Sequence, residues 1–234
     1  MKIVVINFSG NVGKSTVVRH MLAPRMPNAA VRSVESINAN DLAAEKDAIL
    51  RGQDFGELYA WLMSVDDALV DVGTSNVEDF IKLMADYEGS HDVFDLYVVP
   101  TMPEAKQQID TRKTIDKLES FGVDPERIRL LFNIVDKGQT LEKTFSSLFD
   151  YYKRERSFVL NEGAILYKSP AYAAAATAGV TVGELAASRD AYKECLAGSG
   201  TTEDRQKWAQ LVAQAAIAVG ASAQLDRAYS ALLS

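Results

Sequence analysis

"NFSGNVGKST" occupies residues 7–16 and overlaps the apolar run "KIVVINF" at 2–8. That run is nearly continuous in Ile and Val, the pattern of a strand buried on both faces. "KSTVVRHMLAPR" (14–25) follows with helical periodicity and is expected to stop before Pro24. A buried strand, a glycine-bearing turn and a helix, in that order, give a G-K-S-T string mechanical meaning. Backbone N–H groups of residues 10–15 curl around phosphate oxygens, and the helix adds its positive N-terminal end. In such a loop Lys14 reaches β- and γ-phosphates, Ser15 holds Mg²⁺ and Thr16 bonds the α-phosphate. The longer pattern G-x-x-x-x-G-K-[ST] requires glycine at position 8, and Phe8 stands there.

Outward from the loop, strand-length apolar runs alternate with helical patterns. Strands are expected at 30–36, up to Asp71 in "DDALVDVGTSN" (66–76), at 94–101, at 127–136 and at 157–163. Helices are expected at 41–50 with Asp41 as N-cap, at 78–90 closed by Gly89, and at 103–122 with Gly122 just past the end. The tail from about 184 is Ala-rich and helical, with breaks expected near Gly198–Gly200 and at Gly220. Strand–helix–strand repetition implies an α/β fold, a mostly parallel sheet flanked by helices. With neither linker nor repeat in its 234 residues, the chain reads as one domain, residues 187–234 forming a helical extension.

Composition narrows the function classes. A net charge of -7 excludes a globally basic nucleic-acid-binding surface. No apolar run reaches membrane-spanning length, and the N-terminal run has no small-residue cleavage site. The single cysteine, Cys195, allows no intramolecular disulfide and fits a cytoplasmic location. His20 and His91 lack metal-ligand spacing and read as structural or solvated. "YYKRER" (151–156) offers a non-specific nucleic-acid contact, though a solvated helix face explains it better. "RQKWAQLVAQAAIAVG" (205–220) has an apolar stripe but too few cations for a membrane-targeting helix.

The loop resembles the deviant Walker A of the ParA/MinD group of P-loop ATPases, K-G-G-x-G-K-[ST], in which the glycine missing at Phe8 is not required. Gly10, Val12, Gly13, Lys14, Ser15 and Thr16 match. Asn11 stands where the group has glycine. Asparagine is among the non-glycine residues that best tolerate a left-handed backbone. Ser9 stands where the group has its signature lysine. That lysine reaches across a nucleotide-sandwiched dimer, so its absence puts family-type hydrolysis in question.

The resemblance extends to residues 1–186 and implies a SIMIBI-type, ParA-like P-loop fold using ATP and Mg²⁺. "DDALVDVGTSN" resembles the group's Walker B and switch II stretch. Asp71 then holds a Mg²⁺-bound water, the Gly73 amide faces the γ-phosphate, and residues 74–76 report phosphate loss. In "LLFNIVDKG" (130–138), Asn133 matches a strand-end residue that contacts adenine. Asn133 and Asp136 also resemble the N-K-x-D guanine motif, with Ile134 replacing its lysine, so GTP stays open behind ATP. "SPAYAAAATAGVTVGELA" (169–186) resembles a late segment in which Pro170 flanks the base. The water-orienting residue falls to Glu35 or Asp41, and Asp41 completes the catalytic set with Lys14 and Asp71.

Within the group, "NFSGNVGKST" with "LAPR" most resembles the StbB plasmid-stability proteins, which also go by TraL conjugal transfer protein. This implies a cytoplasmic nucleotide switch in plasmid maintenance or transfer. The implied partners are a second copy of the chain upon nucleotide binding and a DNA-binding adaptor. A P-loop kinase or synthetase acting on a metabolite, a GTPase, and a nucleotide-binding module without turnover are the rival readings.

Overall fold

The computed structural model describes residues 1–34, 49–50 and 55–234, with the backbone alone at Ile49–Leu50. The sheet is built from β1 (Lys2–Val5), β2 (Ala30–Val34), β3 (Ile49–Leu50), β4 (Ala68–Val72), β5 (Leu96–Thr101), β6 (Ile128–Val135) and β7 (Ile165–Tyr167). Its order is β3-β2-β4-β1-β5-β6-β7, and every pairing is parallel. The chain first builds outward from β1 on one side, returns through β4, then builds outward on the other. The switch point therefore lies at the carboxyl end of β1, where open α/β sheets bind ligands.

Helices cover both faces. Val4, Ile6, Val70 and Val72 point to one core, closed by α2 (Phe55–Ser64), α3 (Val77–Asp86), α4 (Ala105–Ser120) and, after the short α5 (Leu141–Thr144), α6 (Ser146–Glu155). Ile3, Val5, Leu69 and Val98 point to the other. That core is closed by α1 (Lys14–Val17) with its continuation, α7 (Ala171–Thr177), α8 (Val182–Ala187) and α10 (Thr202–Leu233). Helix α9 (Arg189–Ala197) leads into α10. The alternation along β1 explains the uninterrupted Ile/Val run, since each residue enters one of two cores. Among the described residues no helix is long and apolar enough to cross a membrane.

Several expectations need correction. The strand expected at 157–163 shrinks to one bridge, Val159 with Arg129; Phe158 turns into the core, and the strand forms at Ile165–Tyr167. Gly220 does not break α10, because Ala215, Ala218, Ala221, Leu225, Ala228 and Leu232 bury a continuous stripe that outweighs the roughly 1 kcal/mol helical cost of a glycine. The break near Gly198 is present, capping α9. Ile49–Leu50, expected to end a helix over 41–50, are strand β3 instead; residues 41–48, including Asp41, and Glu35 lie outside the described residues.

The helix after the loop is α-helical only over Lys14–Val17. It continues as a π turn at Val18–Leu22 and a 3₁₀ turn at Ala23–Arg25 that includes Pro24. Proline has no N–H to give the His20 carbonyl four residues back. The Arg25 Nη1 fills that role, donating to the carbonyls of His20 at 3.2 Å and Met21 at 2.9 Å. Its Nε and Nη2 hold Asp226 Oδ1 on α10 at 2.9 and 2.6 Å. "LAPR" is thus the clamp between the loop's own helix and the C-terminal helix.

In "YYKRER", Tyr151 is buried and hydrogen-bonded by Asp116 and Ser157, while the charged residues lie in solvent. His20 is buried too; its Nδ1 accepts from the Val182 amide, and burial holds its pKa below the usual value.

Candidate functional site: a phosphate loop at the sheet switch point

The loop leaves β1 at the switch point and is tied down by α4. Asn7, fully buried, donates through Nδ2 to the Pro100 carbonyl at 2.8 Å and to Thr111 Oγ1 at 2.9 Å. Its Oδ1 accepts the Ser9 amide at 2.7 Å, and Thr114 Oγ1 accepts the Phe8 amide at 3.0 Å. Thr111 and Thr114, on the buried face of α4 with Gln108, Ile115 and Leu118, thereby fix residues 7–9. Phe8 packs on the core below α4, a role that glycine in the longer motif would not fill.

The curl of the loop depends on two left-handed residues. Asn11 has φ 61° and Gly13 has φ 82°. Asparagine accepts this conformation at little cost, as expected for its departure from glycine. Gly13 is constrained twice: a Cβ there would also overlap Asn133 Nδ2. The hollow so formed measures about 440 Å³ and is lined by residues 11–16, Gly73, Thr74 and Ile134. That is within the range of small-ligand clefts, roughly 300–1,000 Å³.

Lys14 lies at its floor, 7% exposed. Its ammonium donates to the carbonyls of Asn7 and Ser9, each at 3.1 Å, and to Thr74 Oγ1 at 2.7 Å. Burial lowers its pKa to about 8, with the Asp71 carboxylate acting in the opposite sense. Asp71 is buried near the end of β4, in register with Val5 of β1 and Ser33 of β2. Ser15 is exposed at the start of α1 and Thr16 is half-buried. A hydroxyl and a carboxylate are the hard oxygen donors that Mg²⁺ takes alongside phosphate oxygens.

The other expected residues are placed differently. The Gly73 amide donates to the Val34 carbonyl at 2.8 Å, extending the β2–β4 ladder by one bond, so it is engaged there and not presented to the hollow. Asn133, buried, donates to the Val12 carbonyl at 2.8 Å and accepts the Ile134 amide at 2.9 Å. Its amide braces the loop. Asp136 sits on an exposed turn beside Gln139 and does not line the hollow. Pro170 caps α7 and lines a separate hollow with Ala174, Gln214 and Ile217.

Two placements escaped sequence reading. Thr74 meets Lys14, and Ile134 lines the hollow at φ 56°, a strained conformation for a β-branched side chain. Ser9 is 3% exposed, and the loop turns it inward.

No protein-family model matches the chain, and no curated protein matches it in sequence. Solved structures match its fold. A chain of the MinC:MinD cell division protein complex from Aquifex aeolicus superposes with a TM-score of 0.52 at 14% identity, covering 77% of this chain and 86% of its own. Apo McdA from Cyanothece superposes at 0.50 and 12% identity, covering 79% and 92%. The fold is that of the MinD-type P-loop NTPases, an all-parallel sheet flanked by helices with a C-terminal helix.

Proposed function

We propose that the chain binds Mg·ATP in the hollow at the end of β1 and acts as a slowly hydrolysing nucleotide switch in plasmid stability, partition or conjugative transfer. The observation that carries the nucleotide reading is the loop itself. Asn11 and Gly13 are left-handed, Gly13 is barred from carrying a side chain, and a buried lysine lies beneath them at the switch point of a MinD-like sheet. The plasmid role rests on the likeness of "NFSGNVGKST" and "LAPR" to the StbB/TraL proteins.

Bound there, Mg·ATP supplies the reactive phosphoanhydride and the metal charge. Lys14 neutralises phosphate charge, with Gly10, Val12, Gly13 and Thr16 completing the cradle. Ser15 and Asp71 hold the metal. On this reading the nucleotide favours a homodimer or a complex with a DNA-binding adaptor, and hydrolysis resets it. The chain is taken as a single domain, since α10 shares a core with β1, and as cytoplasmic on the likeness alone.

A second reading, a nucleotide-stabilised module without turnover, is favoured by one observation. Ser9 is buried and carries no charge to a partner, so a trans-acting lysine is missing at that position.

The test is a Mg²⁺-dependent titration of ATP and GTP against the wild type and Lys14→Ala. ATP binding that Lys14→Ala weakens about tenfold or more supports the reading. Absence of binding to either nucleotide overturns it. Phosphate release with and without DNA then separates switch from module, and dependence on an acceptor metabolite would instead indicate a kinase.

A further inference from the structure

The Lys14 ammonium has three donors, and three acceptors within the protein take them: Asn7 O, Ser9 O and Thr74 Oγ1. A phosphate oxygen can meet this ammonium only by displacing one of them. Two are backbone carbonyls of the segment that Asn7, Thr111 and Thr114 lock to α4. Moving either one disturbs that buried seam.

The third partner is different in kind. Thr74 is exposed, opens the short 3₁₀ turn Thr74–Asn76, and its hydroxyl already donates to the Ser9 carbonyl at 3.3 Å, a bond that does not depend on Lys14. It is the partner Lys14 can give up at least cost.

We propose that Thr74 is a resting-state latch on Lys14, an internal occupant of the place a nucleotide phosphate takes, and that the arriving phosphate displaces it. This rests on the nucleotide reading above and adds a regulation to it. The latch has a path onward. The Val34 carbonyl, at the end of β2, accepts the Gly73 amide at 2.8 Å and Asn76 Nδ2 at 3.3 Å, so it holds the 73–76 turn at both ends. When Thr74 leaves Lys14, the turn moves against that carbonyl, and phosphate occupancy reaches the end of β2.

The experiment uses Thr74→Val, Thr74→Ser and Lys14→Ala, with ATP titration in Mg²⁺ and hydrogen exchange of residues 73–76 in the free proteins. Thr74→Val removes the competing hydroxyl and leaves the free-state ammonium short of one acceptor. ATP binding is then expected to tighten about three- to tenfold. Amides 73–76 should exchange faster in free Thr74→Val than in the wild type. Thr74→Ser keeps the hydroxyl and should match the wild type in both measurements. Unchanged or weaker ATP binding by Thr74→Val, alongside loss of binding in Lys14→Ala, overturns the latch and leaves the phosphate site standing. Absence of ATP binding by wild type and Thr74→Val alike overturns both.

Discussion

Asn133 reaches back from the end of β6 to the Val12 carbonyl at 2.8 Å, and its amide nitrogen fills the space that a side chain on Gly13 would need. Sequence likeness gives this residue to the base, by an adenine contact or a guanine motif. In the folded chain its amide is engaged with the loop and with the Ile134 amide. The shape of the candidate cradle therefore depends on a strand end 121 positions away in sequence.

Gly13→Ala is expected to destabilise the protein and abolish nucleotide binding. The left-handed backbone alone costs about 1–2 kcal/mol with a Cβ, and the overlap with Asn133 adds to it. Asn133→Ala removes the overlap but not the backbone strain. In a double-mutant cycle by urea denaturation, Gly13→Ala should cost less by about 1 kcal/mol or more in the Asn133→Ala background. Strict additivity would show that the two residues do not share the space.

Asn133→Ala alone orphans the Val12 carbonyl, a loss of about 1–3 kcal/mol if water does not replace the donor. ATP and GTP binding should weaken together, because the cradle is altered and not the base contact. Selective loss of one nucleotide would return Asn133 to base recognition.

Lys14 predicts a pH dependence with a definite sign. Its folded pKa is about 8 and its unfolded value 10.5. Between these the unfolded chain holds more protons, so stability rises as pH increases from about 8 toward 10. Tyr151 and Tyr172, raised to about 12 mainly by burial, act oppositely and only above their unfolded pKa near 10. Denaturation of the free protein between about pH 7.5 and 9.5 should show a rise that Lys14→Met abolishes. Nucleotide affinity should fall over the same range, since phosphate needs the charged ammonium.

Arg25 and Asp226 form one ion pair with unequal shares. The Arg25 side chain is 15% exposed and that of Asp226 65%. Arg25→Ala leaves the His20 and Met21 carbonyls without their donor, at about 1–3 kcal/mol. Asp226→Asn removes an exposed charge, at under about 1 kcal/mol. Thermal melts that rank the two variants the other way would refute the clamp.

The backbone of the 9–16 loop was legible because its constraints are local: glycine at a left-handed position, asparagine able to mimic it, and a lysine entering a helix after a doubly buried strand. The major strands were legible for the same reason, since burial on both faces leaves an uninterrupted apolar run. β7 was misplaced because "SFVL" spends Phe158 on the aromatic cluster with Tyr151 and Tyr152, and the strand resumes only past the Asn161–Gly163 turn. The Thr74–Lys14 contact, the brace at Asn133 and the engagement of Gly73 with Val34 were not legible. Each joins distant segments through short polar groups that carry no periodic signal. The left-handed Ile134 runs against its own residue preference, so propensity points away from it.

Ser9 is fixed in the loop through its backbone. Its amide is fixed by Asn7, its carbonyl serves Lys14 and Thr74, and almost none of it meets solvent. A lysine placed at this position would start from a sealed backbone beside an ammonium that is already buried, and the two like charges would repel. A lysine here would therefore need compensating changes in the Asn7–Thr111–Thr114 frame. A charge reaching a partner copy would therefore have to come from a different position on the surface.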